Sequence, residues 1–146
     1  MVDIEADLSS GIAAFETKSF GSAMQLLSPL AEAGEVEAQF RVAVMLQNGL
    51  GMAPNEPEAF RFMTLAADQG HALAQHALGV MYLHGEGTDA DPSKAAECFK
   101  KGIERGLTGS MVALAQMYQH GNGVEIDTDE AARLYSAAGF DPSEFI

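Results

Sequence analysis

The sequence contains no tryptophan and a single cysteine, Cys98. One cysteine cannot form an intrachain disulfide, which excludes a disulfide framework and favours a reducing compartment. No apolar run approaches the roughly 18 residues of a membrane-spanning helix. The N-terminal stretch also lacks a basic region followed by an apolar core. We therefore predict a cytoplasmic protein, unless a leader has been removed from the chain.

Basic residues are scarce as well. The chain of 146 residues has 8 lysines and arginines against 21 aspartates and glutamates, a net charge of −13. Non-specific binding to nucleic acid or to an anionic membrane requires clustered basic side chains, so this composition argues against both. A protein or peptide partner that is itself basic is favoured electrostatically, although acidity also serves solubility.

A period of 36 residues runs through most of the chain. The glycines of a G-x-G link recur at Gly49, Gly85 and Gly121, and small residues recur at Ala23, Ala59, Ala95 and Ala131. A regular period of this length is typical of repeat proteins in which each unit stacks on its neighbours.

Each full repeat is predicted to form two helices. An apolar stripe with i, i+4, i+7, i+8 spacing marks the first helix, as in Ala74, Leu78, Met81 and Tyr82. The second helix has a similar stripe, which places Cys98 at a position that other repeats fill with Phe or Leu. We interpret Cys98 as a small core residue.

Polar residues and glycines predict where the second helices begin and end. N-cap residue types recur at 36-residue intervals at Ser19, Asn55, Asp91 and Asp127. Glu58 and Glu130 follow their caps by three residues, in the manner of a capping box. Glycines predicted in the left-handed conformation end these helices at Gly34, Gly70 and Gly106.

These residues resemble the Sel1-like repeat, a relative of the tetratricopeptide repeat. The resemblance rests on Leu78-Gly79, Tyr82, Gly85-x-Gly87, Asp91, Lys94-Ala95, Phe99 and Gly106, and on their equivalents one repeat later. It implies an all-α fold, a right-handed α-solenoid of stacked αα-hairpins. We predict one array over residues 1–146, with a degenerate first unit at about 2–37 and repeats at about 38–73, 74–109 and 110–146.

Such arrays hold protein segments in a concave groove lined by the first helices. Transferred by position, the resemblance implies a partner-binding groove formed by Phe40, Val44, Gln47, Asn48, Leu73, His76, Val80, Leu83, His84, Val112, Gln116, Gln119 and His120. Its apolar members are suited to an amphipathic or extended segment. Packing of some of them under a neighbouring repeat is the alternative.

The favoured function is a non-enzymatic protein–protein interaction module or adaptor without cofactor or metal. An inhibitor or immunity-type protein that neutralises one dedicated partner is the first alternative. A hydrolase or metal enzyme is the second, since His84 and His120 occupy equivalent positions. Equivalent residues in stacked repeats lie about 10 Å apart, however, which is too far for joint ligation at about 2 Å.

Other chemical interpretations of the sequence are weaker. The G-x-G links follow helix C-termini, where the helix dipole repels a phosphate. The acidic link before Ala131 lacks the residue order of a calcium-binding loop. Some cysteine-rich Sel1-like proteins are described as β-lactamases, but they pair cysteines within repeats and this chain cannot. We therefore predict no catalytic residues.

The C-terminal residues form an apolar tail, with Phe140, Phe145 and Ile146 where a solenoid normally carries a polar cap. We predict that this tail folds onto the last hairpin or mediates self-association.

Overall fold

The computed structural model describes residues 3–146. Within this range the chain forms eight α-helices, one 3₁₀ turn and no strand, which confirms the predicted all-α repeat fold. The helices are α1 (Ile4–Glu16), α2 (Phe20–Glu32), α3 (Val36–Asn48), α4 (Glu56–Asp68), α5 (Ala72–His84), α6 (Pro92–Glu104), α7 (Thr108–His120) and α8 (Thr128–Ala137), followed by the 3₁₀ turn Pro142–Glu144.

The chain divides into two compact units, the first ending at Ala74 and the second covering Gln75–Ile146. In the first unit, α1 packs on α2, α2 on α3 and α3 on α4. In the second, α6 packs on α7, α7 on α8, and α8 on the 3₁₀ turn. Within each unit these helices pack on their neighbours in sequence, as in an α-solenoid.

Small residues at the period of 36 let these helices approach each other closely. Ala23, Ala59, Ala95 and Ala131 are all fully buried. The first helices contribute equivalent buried positions at Ala38, Ala74 and Ser110. At Gly79 a Cβ atom would lie 2.7 Å from the ring of Phe99. Because Gly79 has no side chain, α5 and α6 can come into contact at this point.

The N-caps of the second helices also close the links that precede them. The side chains of Asn55, Asp91 and Asp127 each accept a hydrogen bond from the backbone N–H three residues later, as predicted. Ser19 occupies the N-cap of α2 without such a bond. Each of the other three caps also donates its own backbone N–H to a carbonyl nine residues earlier, that of Leu46, Tyr82 or Tyr118.

This second bond makes one sequence prediction wrong. In a capping box the glutamate accepts from the N-cap N–H, but at Asn55 and Asp127 that N–H is already bonded to the preceding first helix. Glu58 pairs instead with Arg61 and Glu130 with Arg133. The backbone hydrogen bond that closes the link therefore forms in place of the capping-box bond.

The second glycine of a link marks a close approach to the preceding repeat. A Cβ on Gly123 would lie 2.5 Å from the carbonyl carbon of Pro92, at the start of α6. In the first unit, a Cβ on Gly51 would lie 2.7 Å from the Cβ of Phe20, at the start of α2. Because both glycines also have positive φ, a side chain is disfavoured there for two reasons.

Candidate functional site

A cavity of about 300 Å³ lies beside the last turns of α5 and α7, in the second unit. Leu83 lines it from α5, and residues one turn apart on α7 line it from the other side, since i, i+3 and i+4 positions share a helix face. The complete lining is Leu83, Ala113, Gln116, Met117, His120 and Asn122. The cavity therefore combines apolar walls with two amides and an imidazole.

The link after α7 positions Asn122. Gly121 has the left-handed conformation, φ 69°, and its N–H donates to the Met117 carbonyl. The N–H of Asn122 donates to the same carbonyl at 3.0 Å. These two bonds end α7 and turn the chain back toward the cavity, which brings Asn122 to the lining.

His120 has a defined hydrogen-bonding role. Its Nδ1 lies 2.9 Å from the backbone carbonyl of Gln116. A carbonyl can only accept, so Nδ1 donates and Nε2 of the neutral ring carries the lone pair. While the ring is neutral, Nε2 therefore presents an acceptor and not a donor.

The predicted groove residues of the second unit do not share one environment. Val80, Leu83 and Val112 are half-buried against the unit's core, whereas Gln116, His84 and His120 are exposed. Nδ1 of His84 lies 3.5 Å from the carboxylate of Glu86. The cavity brings together three of the predicted residues, Leu83, Gln116 and His120.

His76 lies between helices. Its Nδ1 is 2.9 Å from the hydroxyl of Ser110, and its ring centroid is 5.3 Å from that of Phe99. Burial disfavours the charged imidazolium and lowers the pKa of His76 below its usual 6.5. The side chain is thus a neutral link between α5, α6 and α7.

Gln119 is hydrogen-bonded to the C-terminal tail. Its Nε2 donates to the Phe145 carbonyl at 2.5 Å, and its Oε1 accepts from the Tyr135 hydroxyl at 2.9 Å. The ring of Phe145 stacks on Tyr135 with centroids 4.5 Å apart, and Phe140 meets Phe145 edge-on. The tail therefore folds onto the last hairpin, the first of the two predicted outcomes.

In the first unit, Phe40 stacks on His71, with ring centroids 4.5 Å apart. His71 in turn accepts the Ala74 N–H at Nδ1 and lies 3.3 Å from Glu37 through Nε2. Of the other predicted groove residues in this unit, Val44 and Gln47 are half-buried. Asn48 is exposed, and its side-chain amide donates to the Val44 carbonyl. Leu73 is 51% exposed.

Sequence reasoning missed three residues of the cavity lining. Met117 is the equivalent of Met81 in the apolar stripe and is almost fully buried, as that stripe predicts, and Ala113 and Asn122 are not among the predicted groove residues. A signal was present for Asn122, because a residue between two left-handed glycines lies where the chain reverses direction. For Ala113 the signal was its spacing, one turn before Gln116 and Met117.

The described residues contain no group of three or more His, Cys, Asp and Glu side chains that could hold a metal ion. Among residues 3–146, no helix has the length and apolarity needed to cross a membrane.

Helical hairpins linked by left-handed glycines, with an open cavity on the first helices, define the class of helical-repeat scaffolds. The Sel1 repeat family model matches residues 36–71, 72–107 and 109–139, and the chain belongs to this family. Sel1 repeats commonly mediate protein–protein interaction, and family members are typically repeat scaffolds. A search of curated proteins found no significant match.

Several solved structures resemble this chain. A protective antigen of uropathogenic Escherichia coli with an SLR fold is 28% identical, with a TM-score of 0.87, over 94% of this chain and 30% of the antigen. A Sel1 repeat protein from Oxalobacter formigenes is 26% identical, with a TM-score of 0.84, over 91% of this chain and 53% of that protein. The chain thus spans about a third to a half of these relatives.

Cysteine-rich protein B of Helicobacter pylori is more distant. It is 18% identical, with a TM-score of 0.62, over 82% of this chain and 85% of its own length. At this identity the likeness concerns the fold alone.

Proposed function

We propose that this chain is a non-enzymatic binding module that holds a protein or peptide segment against the first helices of its repeats. The observation that carries the proposal is the cavity that Leu83 of α5 and residues of α7 line. Its apolar walls offer burial to a side chain, and its amides offer hydrogen bonds to a segment lying across it. Phe40, Val44 and Leu73 are the corresponding contacts proposed for the first unit.

The proposed partner is a basic protein segment. Acidic side chains outnumber basic ones by 21 to 8, so a cationic partner is attracted and an anionic one repelled before contact. The single cysteine supports a reducing compartment, the cytoplasm, as the place of this encounter.

Site-specific photo-crosslinking tests the proposal. We would place p-benzoylphenylalanine at Leu83, and at Leu65 as a control on α4, which is exposed but lies outside the proposed face. We expect Leu83 to crosslink reproducibly to one protein segment in lysate of the source cells, identified by mass spectrometry, and Leu65 to give no such product.

The identified segment, synthesised as a peptide, then permits a quantitative test by calorimetry. We expect Leu83→Asp and Gln116→Arg to weaken binding at least ten-fold, and Leu65→Asp to change it less than two-fold. Gln116 is exposed, so its variant tests the face without disturbing the core. Equal affinity of all the variants would refute the proposed face.

A further inference from the structure

The size of the cavity beside α5 and α7 limits what it can hold. At about 300 Å³ it is at the lower end of the range of about 300–1,000 Å³ for small-molecule sites. It therefore suits one side chain of a bound segment better than a cofactor.

The walls of the cavity and its rim differ in chemistry. Leu83, Ala113 and Met117 form an apolar wall. Met117 is almost fully buried, so the methylene groups of a long side chain can lie mainly along Leu83 and Ala113, which are half-buried. The polar lining consists of Gln116, His120 and Asn122. The two amide oxygens, and Nε2 of His120 while its ring is neutral, can accept hydrogen bonds from a donor group. These three side chains are exposed, and an apolar occupant would make no hydrogen bond to them.

The electrostatic field at the cavity favours positive charge. Leu83 lies in the last turn of α5, and Met117 and His120 in the last turn of α7, where the negative ends of helix dipoles attract cations. None of the six lining residues is a lysine or an arginine. The second unit as a whole has 11 aspartates and glutamates against five lysines and arginines.

We infer that this cavity is a socket for the lysine or arginine side chain of a cationic protein segment, its stem against Leu83 and Ala113 and its charged head at Gln116, His120 and Asn122. The inference rests on the proposed function and names the chemistry of the partner. A carboxylate or phosphate group would meet the same dipoles with the wrong sign.

The test uses three acetylated and amidated pentapeptides, Gly-Ala-X-Ala-Gly, in which X is arginine, citrulline or norleucine. Citrulline keeps the shape of arginine without its charge, and norleucine keeps only the apolar stem. Each is titrated into the ¹⁵N-labelled full chain at pH 7.5 and followed by NMR. We expect the arginine peptide to bind at least five-fold more tightly than either analogue. Its largest shifts should be at the side-chain amides of Gln116 and Asn122.

Two variants locate the binding. Ala113→Phe fills the cavity, and Gln116→Lys places an ammonium group at its rim without touching the core; each should weaken arginine-peptide binding at least five-fold. Ala13→Phe makes the first substitution at an exposed position of α1 and should leave binding unchanged. Equal binding of the norleucine or citrulline peptide, or unchanged binding to Gln116→Lys, would overturn the inference.

The two proposals can fail separately. If Leu83 crosslinks to a protein segment but the arginine peptide shows no preference, the socket is wrong and the binding module stands. If the arginine peptide binds the cavity but crosslinking at Leu83 finds no segment, the chemistry of the socket is supported and its use by a protein partner is refuted.

Discussion

Gly123 and Gly106 have nearly the same backbone conformation, φ +72° and +78°, in different surroundings. A Cβ on Gly123 would lie 2.5 Å from the backbone of Pro92, whereas a Cβ on Gly106 would meet nothing within 4 Å. The comparison separates two reasons for a glycine: the left-handed conformation alone at Gly106, and that conformation together with a close approach at Gly123.

We expect Gly106→Ala to lower the free energy of unfolding by about 1 kcal/mol, the cost of a left-handed alanine. Gly123→Ala should cost about 1–3 kcal/mol more, because the methyl group must push the link away from Pro92. Urea unfolding measures both variants. Both positions lie in the second unit, which makes the pair well matched, and equal losses would contradict the close approach.

His76 links stability to pH. Burial lowers its pKa in the folded chain, so below about pH 6.5 the unfolded chain binds a proton that the folded chain does not. The free energy of unfolding therefore falls as the pH falls through this range.

His76→Gln should remove this dependence. Between pH 7 and pH 5 the wild type should lose stability relative to the variant, with a slope of at most about 1.4 kcal/mol per pH unit, reduced by the partial exposure of the ring. Urea unfolding at four pH values measures the difference. Parallel curves for the two proteins would show that His76 takes up its proton equally in both states.

At the scale of elements, the C-terminal tail contributes to the last hairpin. Phe145 stacks on Tyr135 of α8, and its carbonyl accepts from Gln119 of α7. The tail thus joins both helices of the hairpin, although Phe145 itself stays 40% exposed.

Phe145→Ala should lower the free energy of unfolding by about 1–2 kcal/mol, less than for a fully buried phenylalanine because the ring is partly in water. Ile146→Ala is the control: Ile146 is 51% exposed, and the change should stay within about 0.5 kcal/mol. Light scattering on Phe145→Ala also tests the predicted self-association. If the tail mediates it, the variant should have a lower solution mass than the wild type. Equal stabilities of both variants would contradict a packing role for Phe145.

Sequence reasoning predicted the helices well, because their signals are local. The 36-residue series marked the buried faces, and each N-cap predicted at Asn55, Asp91 and Asp127 is confirmed. The prediction that Glu58 and Glu130 accept from the N-cap N–H groups was wrong, because those N–H groups bond instead to the carbonyls of Leu46 and Tyr118, nine residues earlier. The repeat boundaries at about 38, 74 and 110 stay a prediction.

At the scale of the whole molecule, charge is the dominant property. The net charge is −13 on 146 residues. Negative side chains that lie close together in the folded chain repel each other, and this repulsion destabilises the compact state. Arg61 offsets part of it locally by pairing with both Glu32 and Glu58.

Raising the NaCl concentration from about 10 to 300 mM should therefore raise the melting temperature. Screening shortens the Debye length from about 30 Å to below 8 Å, and a gain of about 1 kcal/mol corresponds to about 4 °C for a chain of this size. Calorimetry measures the shift, and KCl in place of NaCl controls for specific sodium effects. A lower melting temperature in salt would mean that attractive ion pairs outweigh the repulsion.

The proposed partner-binding face illustrates where sequence reasoning ends. Position in the repeat placed Leu83, Gln116 and His120 on one surface, and the structure brings these three to one cavity. The same reasoning could not foresee that His76 bonds to Ser110 or that Gln119 bonds to Phe145. Those contacts join residues at least 26 positions apart, which no local periodicity encodes.

The amino-acid sequence was sufficient for the helical repeat, its 36-residue period and its buried small residues, because these follow from side-chain spacing along a helix and from caps a few residues apart. Tertiary packing alone decided which of the predicted groove residues are exposed, how the tail docks, and that a cavity lined by Leu83, Gln116 and His120 forms beside α5 and α7. The physical reason is that burial and hydrogen-bond competition depend on which distant segments meet, and that is settled only when the hairpins pack.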